Sequence, residues 1–190
     1  MKDLTILIQG PYFEFKQYNS NKNIQILKKR FPNANILVST WKNQNNFKLE
    51  SNDKIIFNND PGTVIDNHKG SATIGSNILR QIISVKNGLN KIDTKYTLKI
   101  RSDCYFESDK IIKLNLKKFQ RNEKYKILDE RIILSSVGSL NQKNTNILYN
   151  YSDWFNFGLT SDLKKIWNNV TIDEEDKNYF TKFSSKKKKY

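Results

Sequence analysis

At Lys99-Ile100-Arg101-Ser102-Asp103 an apolar segment runs directly into a carboxylate with cationic neighbours. A strand end is a useful place for such a group: the sheet fixes its direction, and Mg²⁺ or Mn²⁺ takes one or two carboxylates together with substrate phosphate oxygens. The same residues also describe an ordinary strand-capping acid paired with Arg101, and by themselves they leave both readings open. Gln9-Gly10-Pro11 is a turn at the end of another apolar run, with a glycine that lets the backbone approach a ligand closely. Asp153-Trp154-Phe155-Asn156-Phe157-Gly158 sets a carboxylate in front of a dense aromatic run, which reads either as a binding face or as core behind a loop acid.

Other reactive side chains carry less. His68 stands alone in the polar stretch from Asp66 to Lys69 and reads as solvated. Cys104 follows Asp103 with no His near it in sequence, so a packed thiol is the commoner reading. Asp173-Glu174-Glu175-Asp176 reads as a solvated surface or helix start. Neither G-x-G-x-x-G nor G-x-x-x-x-G-K-[ST] occurs, so kinase, P-loop ATPase and NAD-dehydrogenase readings lose their main support.

The elements that must position these residues alternate. Leu4 to Ile8, Ile36 to Val38, Lys54 to Phe57 and Tyr96 to Ile100 read as buried strands, and each opens into polar residues at its carboxyl end. Between them Ile24, Leu27 and Phe31 mark a short amphipathic helix, with Lys28, Lys29 and Arg30 in its last turn and Pro32 as a stop. Ile78, Ile82, Val85 and Leu89 form the stripe of a longer helix closing near Gly88. Ile111 to Phe119 and Asp162 to Trp167 read as helices, and Ile132 to Leu134 as a strand. Strands alternating with helices predict an α/β fold, a mostly parallel sheet covered on both faces, whose ligands bind beyond the carboxyl ends of the strands.

Composition bounds the rest. A chain of 190 residues with 37% hydrophobic and 12% aromatic content makes one domain with a real core, which excludes wholesale disorder. One Cys and one His exclude an intramolecular disulfide and a zinc cluster, and the expected setting is reducing and cytoplasmic. No secretory leader or long apolar span is evident. The formal charge of +14 favours anionic partners, although the Lys, Asn and Ile richness that an AT-rich genome encodes discounts a nucleic-acid reading.

Six short motifs then fall in one order: Gln9-Gly10-Pro11; Phe31-Pro32-Asn33-Ala34 before Val38-Ser39-Thr40-Trp41; Asp60-Pro61-Gly62; Asn77 with Arg80-Gln81; Leu98 through Asp103; and Asp153 through Gly158. Together they resemble the WavE family of lipopolysaccharide core biosynthesis proteins, itself similar to nucleotide-sugar glycosyltransferases of the GT-A fold. The resemblance implies a Rossmann-like sheet, a nucleotide-diphosphate-sugar donor, a glycan or lipid-linked glycan acceptor and a divalent metal, Mn²⁺ or Mg²⁺. It implies Gln9, Gly10, Pro11, Asp60, Asn77, Arg80, Gln81 and Arg101 as nucleotide-sugar-binding residues and Asp103 as the metal ligand. The residues themselves offer Asp153 as the catalytic base, with the aromatics stacking on a sugar ring and the carboxylate taking a proton from the acceptor hydroxyl in an inverting transfer; a retaining transfer would need no such base.

The usual metal motif of such enzymes is Asp-x-Asp, whereas Arg101-Ser102-Asp103 keeps only its last acid. Arg101 is therefore an alternative source of charge for the diphosphate. Asp60 before Pro61-Gly62 is equally a turn residue, and Arg80 without the resemblance is an exposed helical arginine. Relatives usually continue further, so the expectation is a transferase domain over 1–183 with a reduced or truncated end and a disordered basic tail over 184–190. The run Lys186 to Lys189 suits peripheral contact with an anionic membrane. The rival reading is a non-catalytic basic module for nucleic acid or anionic glycan on a decayed transferase fold.

Overall fold

The computed structural model describes residues 3–66, 74–106, 108–114, 122–139 and 152–170. Its centre is β1 (Leu4–Gln9), buried along its whole length because the sheet is covered on both sides. After β1 come the small hairpin of β2 (Glu14–Phe15) and β3 (Tyr18–Asn19), then α1 (Ser20–Arg30), β4 (Asn35–Trp41) and β5 (Lys54–Asn58). A second hairpin, β6 (Val64–Asp66) and β7 (Ile74–Ser76), precedes α2 (Ile78–Leu89) and β8 (Tyr96–Arg101). The short edge strand β9 (Ile133–Leu134), β10 (Phe155–Leu159) and α3 (Thr160–Asn168) complete the described elements.

The main sheet has six strands in the order β5-β4-β1-β8-β10-β9. β5, β4, β1 and β8 are parallel to one another, and β10 and β9 add an antiparallel edge. Alternation along the strands divides the core in two. Leu4, Ile6 and Ile8 join Ile36, Val38, Leu98 and Ile100 beneath Ile24 and Leu27 of α1 and Phe31 just after it. Leu7 and Leu37 point the other way, against Val85 and Leu89 of α2 and Leu163 of α3. Burying each such side chain contributes about 1.5–3 kcal/mol as an upper figure. Gly88 lets α2 lie close to the sheet, since a Cβ there would meet Leu7 Cδ1 at 2.5 Å.

The α/β class and the mostly parallel sheet stand as expected. Two details differ. Of the helix expected over Ile111 to Phe119, the described residues form a 3₁₀ turn at Lys110–Lys113, and positions 115–119 lie outside the described residues. The aromatic run after Asp153 is itself strand β10, with Phe157 buried and Trp154 43% exposed just before it. His68, the acidic cluster 173–176 and the basic tail lie outside the described residues.

Candidate active site

The chain leaves β1 toward β4 on one side, while β8 flanks β1 on the other, so the strand order reverses at the carboxyl ends of β1 and β8. A crevice at such a switch point is where open α/β sheets bind ligands. Gly10 opens it. Its φ of +118° is a conformation that L side chains rarely adopt, and a Cβ there would meet Ser102 Oγ at 2.8 Å. The turn is fixed from both neighbours, by Gly10 N–H donating to Ser39 O (3.1 Å) and Ser102 N–H donating to Gln9 O (2.9 Å).

Topology explains why residues far apart in sequence meet here. β10 runs antiparallel to β8, pairing Phe155 with Ile100, so the start of β10 lies at the carboxyl end of β8. Asp153 therefore arrives beside Arg101, with Arg101 Nη1 3.9 Å from Asp153 Oδ2. The same Oδ2 accepts a hydrogen bond from Gln81 Nε2 of α2. Arg101 grips Asp103 with two bonds, Nε to Oδ1 at 2.9 Å and Nη2 to Oδ2 at 2.6 Å. That guanidinium holds the Asp103 carboxyl below its ordinary range, so Asp103 is ionised at neutral pH.

Beneath this group lies Lys99, fully buried on β8. Its Nζ donates to the main-chain oxygen of Asp153 and sits 5.2 Å from the centroid of the Trp167 ring. Burial pushes the Lys99 ammonium down to about 8, against the attraction of the Asp153 carboxylate. Burial likewise pushes the Cys104 thiol up to about 11, with the Asp103 charge adding to it, so Cys104 is a neutral thiol at pH 7.

The opposite wall comes from the end of β5 and the start of α2. Arg80 holds Asp60 through Nε to Oδ1 (2.6 Å) and Nη2 to Oδ2 (2.7 Å), and its Nη1 donates to Asn77 Oδ1 (2.9 Å). Asp60 Oδ1 also accepts the Gly62 N–H at 2.9 Å, the turn role expected of an Asp before Pro-Gly. The guanidinium holds the Asp60 carboxyl below its ordinary range. Gln9 is oriented from below by Ser84, whose hydroxyl lies 2.9 Å from Gln9 Oε1.

These walls enclose a cleft of about 770 Å³. Every residue expected at the site lines it: Gln9, Gly10, Pro11, Asp60, Asn77, Arg80, Gln81, Arg101, Asp103 and Asp153. Its lining also contains Tyr12, Phe13, Trp41, Gln44, Ile78, Ser84 and Ser102, which were not expected there. Trp41 ends a buried strand and could have been found by the rule that singled out the other strand ends. Ile78 was expected on the buried stripe of α2 but is 38% exposed at the mouth of the helix. Gln44 reaches the site by accepting Tyr12 N–H at 2.8 Å, for which no local sequence signal exists.

The donor set suits a divalent cation in one way only. Among the described residues no group of three or more His, Cys, Asp or Glu gathers as metal ligands. The lining carries the acids Asp60, Asp103 and Asp153 against the cations Arg80 and Arg101, and the Lys99 ammonium beneath Asp153 evens that balance. That way is Asp103, the acid at the end of β8, but both of its oxygens are engaged by Arg101, and a divalent cation there would have to take one of them from that pair.

A family model described as WavE lipopolysaccharide synthesis matches residues 4–190 of this chain. No curated protein matches it.

Proposed function

This chain belongs to the WavE lipopolysaccharide synthesis family, and on that premise we propose that it is a glycosyltransferase. It moves a sugar from a nucleotide-diphosphate-sugar donor to a lipopolysaccharide core or related surface glycan, on a sheet of the GT-A kind. The observation that carries this reading is the convergence of the carboxyl ends of β1, β4, β5 and β8 and the start of α2 on a single cleft at the switch point of a mostly parallel sheet.

In this reading Gln9, Gly10 and Pro11 form the floor under the nucleotide, where the missing Cβ of Gly10 lets the donor lie against the backbone. Asp60 receives the base, held in place by Arg80, which Asn77 fixes in turn. Arg101 faces the diphosphate with Nη1, the guanidinium nitrogen that Asp103 does not engage. Asp103 is the residue that would hold a divalent metal, which would supply charge neutralisation for the departing diphosphate. Asp153 takes the acceptor proton. Gln81 and Arg101 converge on its Oδ2 and fix the carboxylate's direction, and general-base assistance of this kind contributes about 10²–10⁴ in rate. Exposed Trp154 beside it offers a ring to the acceptor sugar.

The net charge of +14 favours the alternative of a basic binding module. The cleft does not favour it, because with Lys99 counted its acids match its cations, and a nucleic-acid groove needs a clear excess of cations. No nucleic-acid partner is therefore proposed. Among the described residues no helix is long and apolar enough to cross a membrane. The proposed location is the cytoplasm, or its membrane face.

The test is release of nucleoside diphosphate from a panel of nucleotide sugars, with a truncated lipopolysaccharide core as acceptor. One donor should be consumed, and Asp153→Asn should still bind it while losing transfer by at least about a hundredfold. An Asp153→Asn protein that transfers at the normal rate would remove Asp153 as the base. Failure of every donor with the unaltered chain would remove the transferase reading.

A further inference from the structure

The hairpin of β2 and β3 lies outside the chemistry above, yet it is built firmly. Its base is closed by Ser20 N–H donating to Phe13 O and Phe13 N–H donating to Ser20 Oγ, both at 2.9 Å. Tyr105 staples it from β8's following loop, its hydroxyl accepting Asn19 N–H (2.7 Å) and donating to Asn19 O (2.9 Å). Between exposed Glu14, Lys16 and Gln17 the hairpin presents two rings to solvent: Phe15 is 57% exposed and Tyr18, its cross-strand partner, 43%. At its tip Lys16 adopts a left-handed φ of 54°.

Each of these rings carries an ammonium. Lys16 Nζ lies 5.2 Å from the centroid of Phe15, and Lys22 Nζ lies 5.6 Å from that of Tyr18. Glu14 is the only acid on the hairpin, and the first turn of α1 that follows has none. Rings covered by ammonium groups do not offer open faces for a sugar to stack on. Aromatic rings with adjacent lysines are instead what the boundary between lipid headgroups and acyl chains accepts, the rings entering it and the ammonium groups meeting its phosphates.

We infer that this hairpin is a peripheral membrane contact, in which Phe15 and Tyr18 enter the headgroup boundary of an anionic bilayer while Lys16 and Lys22 engage its phosphates. The positive charge of the chain supplies the long-range attraction to such a surface. The hairpin leads directly from Tyr12 and Phe13, which line the cleft. Docking there sets the mouth of the cleft next to the membrane, where a lipid-linked acceptor would be found. The inference goes beyond the donor-site reading and does not need it, because vesicle binding requires no nucleotide.

The test is co-sedimentation of the full chain with vesicles of phosphatidylcholine containing phosphatidylglycerol, against vesicles of phosphatidylcholine alone. The unaltered chain should pellet with the anionic vesicles only, and progressively less as salt is raised. Phe15→Ser should weaken binding roughly tenfold and Lys16→Gln about fivefold, each with an unchanged melting temperature. Phe15→Trp should retain binding. Equal binding of Phe15→Ser and the unaltered chain would overturn the inference in favour of the basic tail. Failure to bind either vesicle would overturn it outright. Vesicle binding by a chain that binds no nucleotide would support the hairpin while removing the donor reading.

Discussion

Burying Lys99 gives folding a pH dependence that can be worked out in sign and size. The folded protein releases the Lys99 proton near pH 8, because burial disfavours the ammonium despite the neighbouring Asp153 and Asp103 carboxylates, while the unfolded chain releases it near 10.5. Below pH 8 both states carry the proton and the full penalty is present. Between pH 8 and 10.5 the unfolded state holds the proton more tightly, so stability from this group rises with pH. At about 1.4 kcal/mol per pH unit, the whole rise is about 3 kcal/mol. Cys104 works in the opposite direction over an overlapping range. Burial raises its thiol from 9.0 to about 11, so its contribution to stability falls as pH rises between those values. The comparison is therefore made in a Cys104→Ser background, between Lys99 and Lys99→Met, by urea unfolding at several pH values from 7 to 10. The Lys99 protein should gain about 2–3 kcal/mol on its Met counterpart across that range. A difference that stays constant with pH would refute the claim that a buried ammonium lies under Asp153.

Gly10→Ala should destabilise the fold by about 1–3 kcal/mol, because the backbone is left-handed there and the added methyl meets the Ser102 hydroxyl. The same substitution should weaken nucleotide binding more than it lowers the melting temperature accounts for, a contrast read by calorimetry of both. Asp162 is fully buried, and its carboxylate accepts the N–H groups of Asp129 (3.0 Å) and Glu130 (2.8 Å). Asp162→Ala should therefore destabilise by about 2 kcal/mol or more in urea unfolding, since two amides lose their acceptor. Burial alone would raise the Asp162 carboxyl, but those amides and Lys165 outweigh it and hold it below its ordinary value. Its contribution to stability is thus complete above about pH 4 and lost as pH falls further, so the acid limb of the unfolding profile should flatten in the variant.

The core strands were legible because burial on both faces forces continuous apolar runs, as in Leu4–Gln9 and Tyr96–Arg101. The stripe of α2 was legible by its period, and the site followed from the rule that parallel strands deliver ligand-binding residues at their carboxyl ends. What escaped was set by other forces. β10 hid behind its aromatic run, because an antiparallel strand bounded by a site acid has the same residues as a binding motif. Lys99 was passed over as a cation near Asp103, although its place between Leu98 and Ile100 in a doubly covered strand required its burial. The hairpins β2–β3 and β6–β7 are too short to carry a period. The turn at Lys110–Lys113 packs Ile111 and Ile112 against the α1 face of the core, a local contact that no helical period announces.

The donor cleft is tested most directly by calorimetric titration of the purified chain with a panel of nucleoside diphosphates, each with and without Mn²⁺. One nucleoside diphosphate should bind and the others should not. Its affinity should rise with Mn²⁺ in the unaltered chain, and Asp103→Asn should abolish that rise while leaving cooperative unfolding intact. No binding of any nucleoside diphosphate to a cooperatively folded chain would contradict the assignment of this cleft to a nucleotide-sugar donor.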